Sequence, residues 1–507
     1  MSNIMRLINI DDLTLRSYSD IEKDPQNDLK YAILSHRWNE RPRGMDEEVF
    51  KPWNEVLYND YPKGNTEDDR AKRERWLNPV RNNIPFNTGE GKIAWACYHL
   101  RNNKVGPRWL WMDTACIDKS NKVELDEAIN SMMRWYRKAF ICVAYLKDVS
   151  KHENEHNKAC RQRPGEDAEL NSKATTSHRI GDYPQPLGPF IASEWFDRGW
   201  TLQELLAPPQ VQFFDYRWDP LGSRERLRGQ IEEATGIQGK YLDGFSYLQP
   251  CIAVKLSWMA RRFTSKLEDT AYCLLGILNQ RMTVNYGERE GAFLRLQEKL
   301  VTDTRDESVF AWIDIREQPD TSLPGVSRTY GLLAPWPSFF VHSGSLTIQR
   351  PKEYRKRPDY SVGKGGVLFP LPMKYPDDGN GIHLNNRQFR KLRNFKLSLN
   401  CWVEGKSVDK HVTLELTRES EHEPFRRQLG PRMLLEKCSQ SSFDRLAGTN
   451  KTRETHIPNI GSSATERLWM EEVIGKAFFN EGAISSDMME ESNHKERKGF
   501  RRLLFGD

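Results

Sequence analysis

The sequence lacks the short motifs that identify the commonest hydrolases and nucleotide-binding proteins. It contains neither a G-x-S-x-G nucleophile elbow nor a G-x-G-x-x-G dinucleotide fingerprint. The segment TGEGK (88–92) lacks the first glycine of a phosphate-binding loop, and Ile93 stands where that loop carries a hydroxyl residue that reaches magnesium. We therefore interpret this segment as a flexible turn before a helix.

Cysteine pairs and long apolar runs are also absent. The eight cysteines include no C-x-x-C pair, and several lie in apolar runs such as WACYHL and AYCLLGIL, which is typical of buried thiols in a reducing compartment. No apolar stretch is long enough to span a membrane, and the N-terminus has no signal-peptide core. A net charge of +5 over 507 residues does not favour nucleic acid as a partner. We expect a cytoplasmic protein.

The first 220 residues alternate between strand-like and helix-like segments. Four apolar runs predict strands, and three amphipathic or apolar stretches predict helices. The strands are predicted at 31–38, 109–118, 140–146 and 211–215, and the helices at 92–103, 124–139 and 194–207. This alternation predicts an α/β domain, a parallel sheet flanked by helices, with ligands bound at the carboxyl ends of its strands.

The length of 507 residues predicts two or three domains. We expect the α/β domain to span 1–220, with a polar insertion at 151–188, and a helical region to follow at 221–305. Strict alternation of apolar residues over 395–403 and again over 412–416 predicts strands, and hence a β-rich C-terminal domain over 306–507. The basic tail HKERKGFRRLLFGD is interpreted as a solvated helix.

Glu204 is the most unusual residue of the α/β domain, because it lies in the aromatic and apolar segment WFDRGWTLQELL (195–206). A carboxylate in such surroundings either pairs with a cation or takes part in chemistry. The structural interpretation is an ion pair with Arg198 or another cation. The functional interpretation is a catalytic carboxylate, and the sequence leaves both open.

Polar residues follow the first two predicted strands, where a ligand would bind. Arg37 is suited to phosphate and Trp38 to ring stacking, and the alternative for LSHRW (34–38) is a surface turn. In WMDTACID (111–118), Cys116 is a candidate nucleophile with His36 as its base, whereas a buried inert thiol is the simpler interpretation.

The segment HENEH (152–156) matches the zinc motif H-E-x-x-H, with Cys160 at a spacing that suits a third ligand. It lies in the polar insertion, where no apolar stripe would seat a metal-binding helix and no residues that would orient the metal ligands are evident. We predict no metal site.

Three separated segments, in this order, resemble one family. YAILSHRW, then WLWMDTACID, then RGWTLQE resemble the fungal heterokaryon incompatibility (HET) domain, which is implicated in cell death after non-self recognition. HET domains are distantly similar to Toll/interleukin-1 receptor (TIR) domains, and WTLQEL resembles the helix start whose glutamate is catalytic in TIR enzymes that cleave NAD. This sequence differs from the plant TIR pattern at His36, Trp38 and Thr201.

The resemblance implies a TIR-like domain in which Glu204 hydrolyses NAD at the nicotinamide–ribose bond. It implies NAD, or a related nucleotide, as substrate and no other cofactor. The pocket residues implied are Ser35, His36, Arg37, Trp38, Asp113, Cys116 and Trp200. It also implies a homo-oligomer, and an upstream partner of the immune-receptor type.

The sequence leaves two alternative functions open. In the first, the domain is a non-enzymatic signalling module that acts by self-association and partner recruitment, with Glu204 as a structural ion-pair residue. In the second, Cys116 and His36 form a thiol hydrolase.

Overall fold

A computed structural model describes most of the first 348 residues and short strands beyond them. The described ranges are 4–24, 29–38, 55–102, 106–151, 189–247, 249–304, 306–313, 329–348, 361–363, 366–372, 394–399, 401–404, 410–417, 426–428, 434–437 and 452–457. The HENEH segment, Cys160, residues 152–188 of the predicted insertion and the basic tail lie outside these ranges.

The chain forms two compact units, and each is interrupted in sequence. The first comprises Met1–Ser246 with Tyr272–Val284, and the second comprises Tyr247–Ala271 with Asn285–Asp507. The first unit contains the predicted α/β domain.

The first unit is built on a seven-stranded sheet, with strand order β2-β1-β4-β3-β5-β6-β7. The strands are β1 (Arg6–Asn9), β2 (Leu15–Ser17), β3 (Tyr31–His36), β4 (Trp109–Trp111), β5 (Ile141–Tyr145), β6 (Val211–Phe214) and β7 (Pro220–Ser223). The four central strands β4, β3, β5 and β6 run parallel, and β1, β2 and β7 pair antiparallel at the edges. The prediction of an α/β fold with a parallel sheet is confirmed.

Helices precede and follow these strands. They are α1 (Tyr18–Glu22), α2 (Glu67–Leu77), α3 (Gly89–Arg101), α4 (Asp113–Cys116), α5 (Lys122–Lys138), α6 (Thr201–Leu206), α7 (Arg228–Thr235) and α8 (Gly239–Leu242), with 3₁₀ turns at Phe190–Ala192 and Glu194–Asp197. Helix α5 buries the stripe of Ile129, Met132, Met133 and Tyr136 that its periodicity predicts.

Two predicted elements are shorter than expected. The strand predicted over 109–118 ends at Trp111, because Asp113–Cys116 turns into helix α4. The helix predicted over 194–207 is a 3₁₀ turn followed by α6, because Arg198 between them has an extended backbone. The Thr201 hydroxyl stabilises this break by donating to the Trp195 carbonyl at 2.7 Å.

The order of the parallel strands predicts a ligand crevice at the end of β3. Strand β4, which follows β3 in the chain, lies on one side of β3 in the sheet. Strand β5, which follows β4, lies on the other side of β3. At such a switch point, connections leave neighbouring strands toward opposite faces, which opens a ligand crevice at the carboxyl ends. Register pairs His36 at the end of β3 with Tyr145 at the end of β5.

The second unit is described mainly as strands. Its helices are α9 (Ile252–Ser257) and α11 (Gly291–Asp303), with 3₁₀ turns at Glu307–Phe310 and Pro337–Phe340, and the short α10 (Asp269–Tyr272) lies at the unit boundary. The strands are β8 (Thr329–Tyr330), β9 (Leu346–Ile348), β10 (Ser361–Gly363), β11 (Gly366–Pro372), β12 (Asn394–Ser398), β13 (Cys401–Val403), β14 (Lys410–Thr417), β15 (Arg426–Gln428), β16 (Leu434–Lys437) and β17 (Thr452–Ile457).

These strands form three small antiparallel sheets. Val412, Leu414 and Leu416 of β14 are buried, as their alternation predicts. The alternation over 395–403 covers two strands rather than one, because β12 pairs with β14 and β13 pairs with β9. Among the described residues, no helix is both long and apolar enough to cross a membrane.

Candidate functional site

Ser35 and Glu204 meet at the carboxyl end of β3. The Ser35 hydroxyl donates a hydrogen bond to the Glu204 carboxylate and accepts one from the Trp195 indole nitrogen at 2.8 Å. Strand β3 brings Ser35 to the crevice, whereas the 3₁₀ turn and α6 bring Trp195 and Glu204. Because Ser35 and Trp195 are both buried, these bonds form inside the domain and not in solvent.

Burial dominates the chemistry of Glu204, which is only 8% exposed. Burial raises the pKa of its carboxyl to about 7, against hydrogen bonds from Ser35 and Tyr136 and the charge of Arg198, while the nearby Asp113 charge adds to the rise. A carboxyl with a pKa near neutrality exchanges protons readily at neutral pH. Perturbed carboxyls of this kind concentrate at functional sites.

Arg198, the cation named in the structural interpretation of Glu204, lies near this carboxylate. Its positive charge lowers the pKa of Glu204, and its guanidinium donates to the His36 carbonyl at 2.8 Å. Arg198 therefore links the segment before α6 to the end of β3.

Arg37 forms an ion pair with Glu194 of the 3₁₀ turn. Asp148, just after β5, fixes this turn, because its carboxylate accepts from the Glu194 amide at 2.6 Å and from the Ser193 hydroxyl at 2.8 Å. The cation predicted to contact phosphate thus lies at the crevice with an anionic side chain already bound to it.

A second ion pair lies beneath the same strand end. Lys92 of α3 is 0% exposed, pairs with Glu55, and donates to the Arg37 carbonyl at 2.8 Å. Glu55 also lies 3.0 Å from Nε2 of His36. Burial lowers the pKa of Lys92 to about 8 and also lowers that of His36. Burial alone would raise the pKa of Glu55, but Lys92 and His36 outweigh it and hold the carboxyl well below its usual range.

Asp113 and Trp38 share a neighbour at the rim. The Lys119 ammonium lies 3.0 Å from the Asp113 carboxylate and 3.8 Å from the centre of the Trp38 ring. Burial opposes the ionisation of Asp113, but Lys119 and His36 outweigh it and lower the pKa of this carboxyl. Trp38 is 36% exposed, so one side of a large ring is accessible next to the crevice.

The remaining candidates are placed less favourably. Burial raises the pKa of the Cys116 thiol to about 12, which disfavours the thiolate that a nucleophile needs, and His36 contacts Glu55. Trp200 is half-buried immediately before α6. Within the described residues, no group of three or more His, Cys, Asp or Glu side chains is arranged to hold a metal ion.

The structure thus brings Ser35, Asp113 and Glu204 together at the carboxyl end of β3, with Arg37 and Trp38 next to them in the chain. The sequence interpretation missed Lys92, Glu55 and Tyr136. Lys92 stands in the apolar helix segment KIAWACYHL, so the rule that singles out Glu204 also applies to it. Glu55 lies in a polar stretch and carries no such signal.

The residues of this candidate site lie in a segment of the chain that is similar to a known family. Residues 31–204 match the family described as Heterokaryon incompatibility protein (HET). The match begins at the first residue of β3 and ends at Glu204. It therefore covers the Ser35–Glu204 contact, the buried Lys92–Glu55 pair and the partly exposed Arg37–Glu194 pair.

The chain is also 37% identical over 302 residues to the vegetative incompatibility protein HET-E-1 of Podospora anserina. The aligned part is 59% of this chain and 18% of that protein, so the chain spans less than a fifth of the length of this relative. No solved structure gives a significant match.

Proposed function

We propose, from the premise that this chain contains a heterokaryon incompatibility domain, that the domain hydrolyses NAD and that the protein is an effector of cell death in non-self recognition. The observation that carries the enzymatic part is Glu204, a buried carboxyl at the switch point of the sheet, hydrogen-bonded to Ser35 and Tyr136. The relative named for vegetative incompatibility supports the biological part.

The proposed reaction breaks the bond between C1′ of the ribose and the nicotinamide nitrogen. The bonding electrons leave with nicotinamide, which becomes neutral, and the ribose carbon becomes oxocarbenium-like. The ionised Glu204 stabilises that carbon, and a water then adds to it and releases a proton. A carboxyl with a pKa of about 7 is well matched to accepting that proton.

The rim residues suit the rest of a dinucleotide. The exposed side of Trp38 offers a stacking surface for a ring, and Trp200 is a second candidate. Arg37 is suited to a phosphate group, which has to compete with Glu194 for the guanidinium. Asp113 and Lys119 lie on the β4 side of the crevice, where they can contact the ribose or a phosphate.

The runner-up is a non-enzymatic signalling module, and one observation favours it. Glu204 is buried with two hydrogen-bond donors and a nearby Arg198, an arrangement that also satisfies a purely structural carboxylate. In this function the domain acts by self-association and partner recruitment, including an upstream protein of the immune-receptor type.

NAD consumption by the purified full chain tests the two functions. We expect turnover by the wild type and at least a hundredfold loss in Glu204→Gln, which keeps the shape of the side chain but cannot ionise. Glu233→Gln is the matched control, because Glu233 is an exposed glutamate of α7. Turnover retained by Glu204→Gln removes Glu204 from catalysis, and no turnover at any concentration of the wild type favours the signalling module.

Self-association is part of both functions and is measured separately. We expect a homo-oligomer in light scattering, with specific NAD turnover that rises with protein concentration. A strictly monomeric protein with concentration-independent turnover contradicts this part of the proposal.

A further inference from the structure

Lys92 and Glu55 are buried charges that the proposed hydrolysis does not use. We infer that this ion pair is a positioning device, which holds the chain segment at the end of β3 so that Ser35 meets Glu204. The inference deepens the proposed function and rests on it for its kinetic test.

Three contacts fix the two residues that follow Ser35. The Lys92 ammonium donates to the Arg37 carbonyl at 2.8 Å, and Arg198 donates to the His36 carbonyl at 2.8 Å. Nε2 of His36 lies 3.0 Å from Glu55. Since an ionised carboxylate only accepts, Nε2 carries the hydrogen in this contact. Both carbonyls and the side chain beyond Ser35 are thus held by charged groups.

These groups come from separate parts of the domain. Lys92 projects from the first turn of α3, whose N-cap Thr88 accepts from the Gly91 amide at 3.0 Å. Glu55 precedes α2 in the chain, and Arg198 precedes α6. The end of β3 is therefore held by groups from three separate segments, and we expect the loss of the Lys92–Glu55 contacts to displace Ser35 relative to the Glu204 carboxylate.

A contribution to folding stability does not by itself explain why an ion pair is buried at this position. Desolvation of a buried ion pair commonly offsets its attraction, and apolar pairs of similar volume are often as stable. A lysine at this position has what an apolar residue lacks, namely several donors on one atom. Lys92 uses them to bind a carboxylate and a backbone carbonyl together.

The test replaces both charges in the full chain, in the double variant Lys92→Met/Glu55→Gln, which leaves no unpaired charge. Its matched control is Arg6→Met/Glu124→Gln, which removes another ion pair of the same unit with contacts of 2.6 and 2.8 Å. We expect kcat for NAD to fall about 10–100-fold in the first variant and less than threefold in the control, because misplacing catalytic groups by about 1 Å costs this much.

A second readout is independent of turnover. Titration of Glu204 in ¹³C-glutamate-labelled protein, assigned with Glu204→Gln, reports whether the Ser35 hydrogen bond is intact. We expect its midpoint to rise by about one pH unit in the Lys92→Met/Glu55→Gln variant, since one charge-assisted bond is of that size. The control should titrate like the wild type.

The outcomes separate the two claims. A wild type that turns over no NAD contradicts the proposed function, and the Glu204 titration then decides the positioning role alone. The Lys92→Met/Glu55→Gln variant could instead have a lower melting temperature but the wild-type titration of Glu204 and, where the wild type turns over NAD, the wild-type kcat. In that case the ion pair is merely structural and the inference is wrong.

Discussion

The Ser35 hydroxyl donates a hydrogen bond to the Glu204 carboxylate across 169 positions of the chain. The contact joins the end of a central strand to a helix that follows the next two strands of the sheet. Because this hydrogen bond lowers the pKa of Glu204, the protonation of Glu204 depends on the position of Ser35 at the end of β3.

Ser35→Ala should destabilise the domain and weaken NAD turnover together. It removes a donor to a buried carboxylate and leaves the Trp195 indole without its acceptor, which costs about 1–3 kcal/mol of unfolding free energy. Because Ser35 lowers the pKa of Glu204, the rise of kcat with pH should move to higher pH. Urea unfolding and a pH–rate profile measure both effects. Ser131→Ala, at a buried serine of α5, should leave the profile unchanged.

Glu204 should make the folded protein less stable as pH rises. The pKa of its carboxyl is about 7 in the fold against 4.5 ordinarily, so between these values the unfolded chain loses the proton first. The unfolding free energy therefore falls by up to about 3 kcal/mol from pH 4.5 to pH 7 and is then constant. Glu204→Gln should lack this contribution, so its stability relative to the wild type should increase over that interval in urea unfolding. An unchanged difference across the interval contradicts the burial of an ionisable Glu204.

Glu194→Gln should strengthen the binding of an anionic ligand. Glu194 pairs with the Arg37 guanidinium, so removing its negative charge weakens the competition that a phosphate group meets at this cation. We expect KM for NAD to fall about threefold, the scale of one partly exposed ion pair. Arg37→Met should raise KM instead. If both variants raise KM equally, the ion pair itself maintains the site, and Arg37 does not bind phosphate.

Gly91→Ala should destabilise the start of α3. A Cβ at this position would lie 1.9 Å from the Pro85 carbonyl oxygen, a backbone atom that cannot move aside cheaply. Overpacking of this kind costs about 1–3 kcal/mol, or more where backbone is involved. Gly229→Ala is the matched control in α7, since nothing lies within 4 Å of the added atom, and it should be neutral or stabilising by up to about 1 kcal/mol. Equal melting temperatures for the two variants would contradict the close approach.

The central strands could be predicted because their runs are apolar on both faces. All six residues of β3 are buried, and a parallel strand covered on both sides produces that pattern. The edge strands β1, β2 and β7 were missed. They are three or four residues long, partly exposed and antiparallel, and their segments carry no comparable run.

The candidate site was predictable only in part, for an equally physical reason. Glu204 and Lys92 contrast with apolar neighbours, so a rule about buried charge detects both. The partners of a buried charge come from distant segments, however. The link from Glu55 to Lys92 crosses 37 positions, and the link from Arg37 to Glu194 crosses 157. Such pairings depend on topology, which single residues do not encode.

The interrupted order of the two units has a consequence for dissecting the chain. The boundaries fall after residues 246, 271 and 284, so no single cut yields both units as continuous fragments. A fragment ending at residue 246 also loses Met282 and Val284. The backbone of Met282 forms hydrogen bonds with the Asn130 side chain at 2.9 and 3.1 Å, and the Val284 amide donates to the Asp126 carboxylate at 2.6 Å. One ending at Glu204 loses β6 and exposes the edge of β5. Deletion analysis would therefore score damage to folding as loss of function, and substitutions in the intact chain are the way to assign roles.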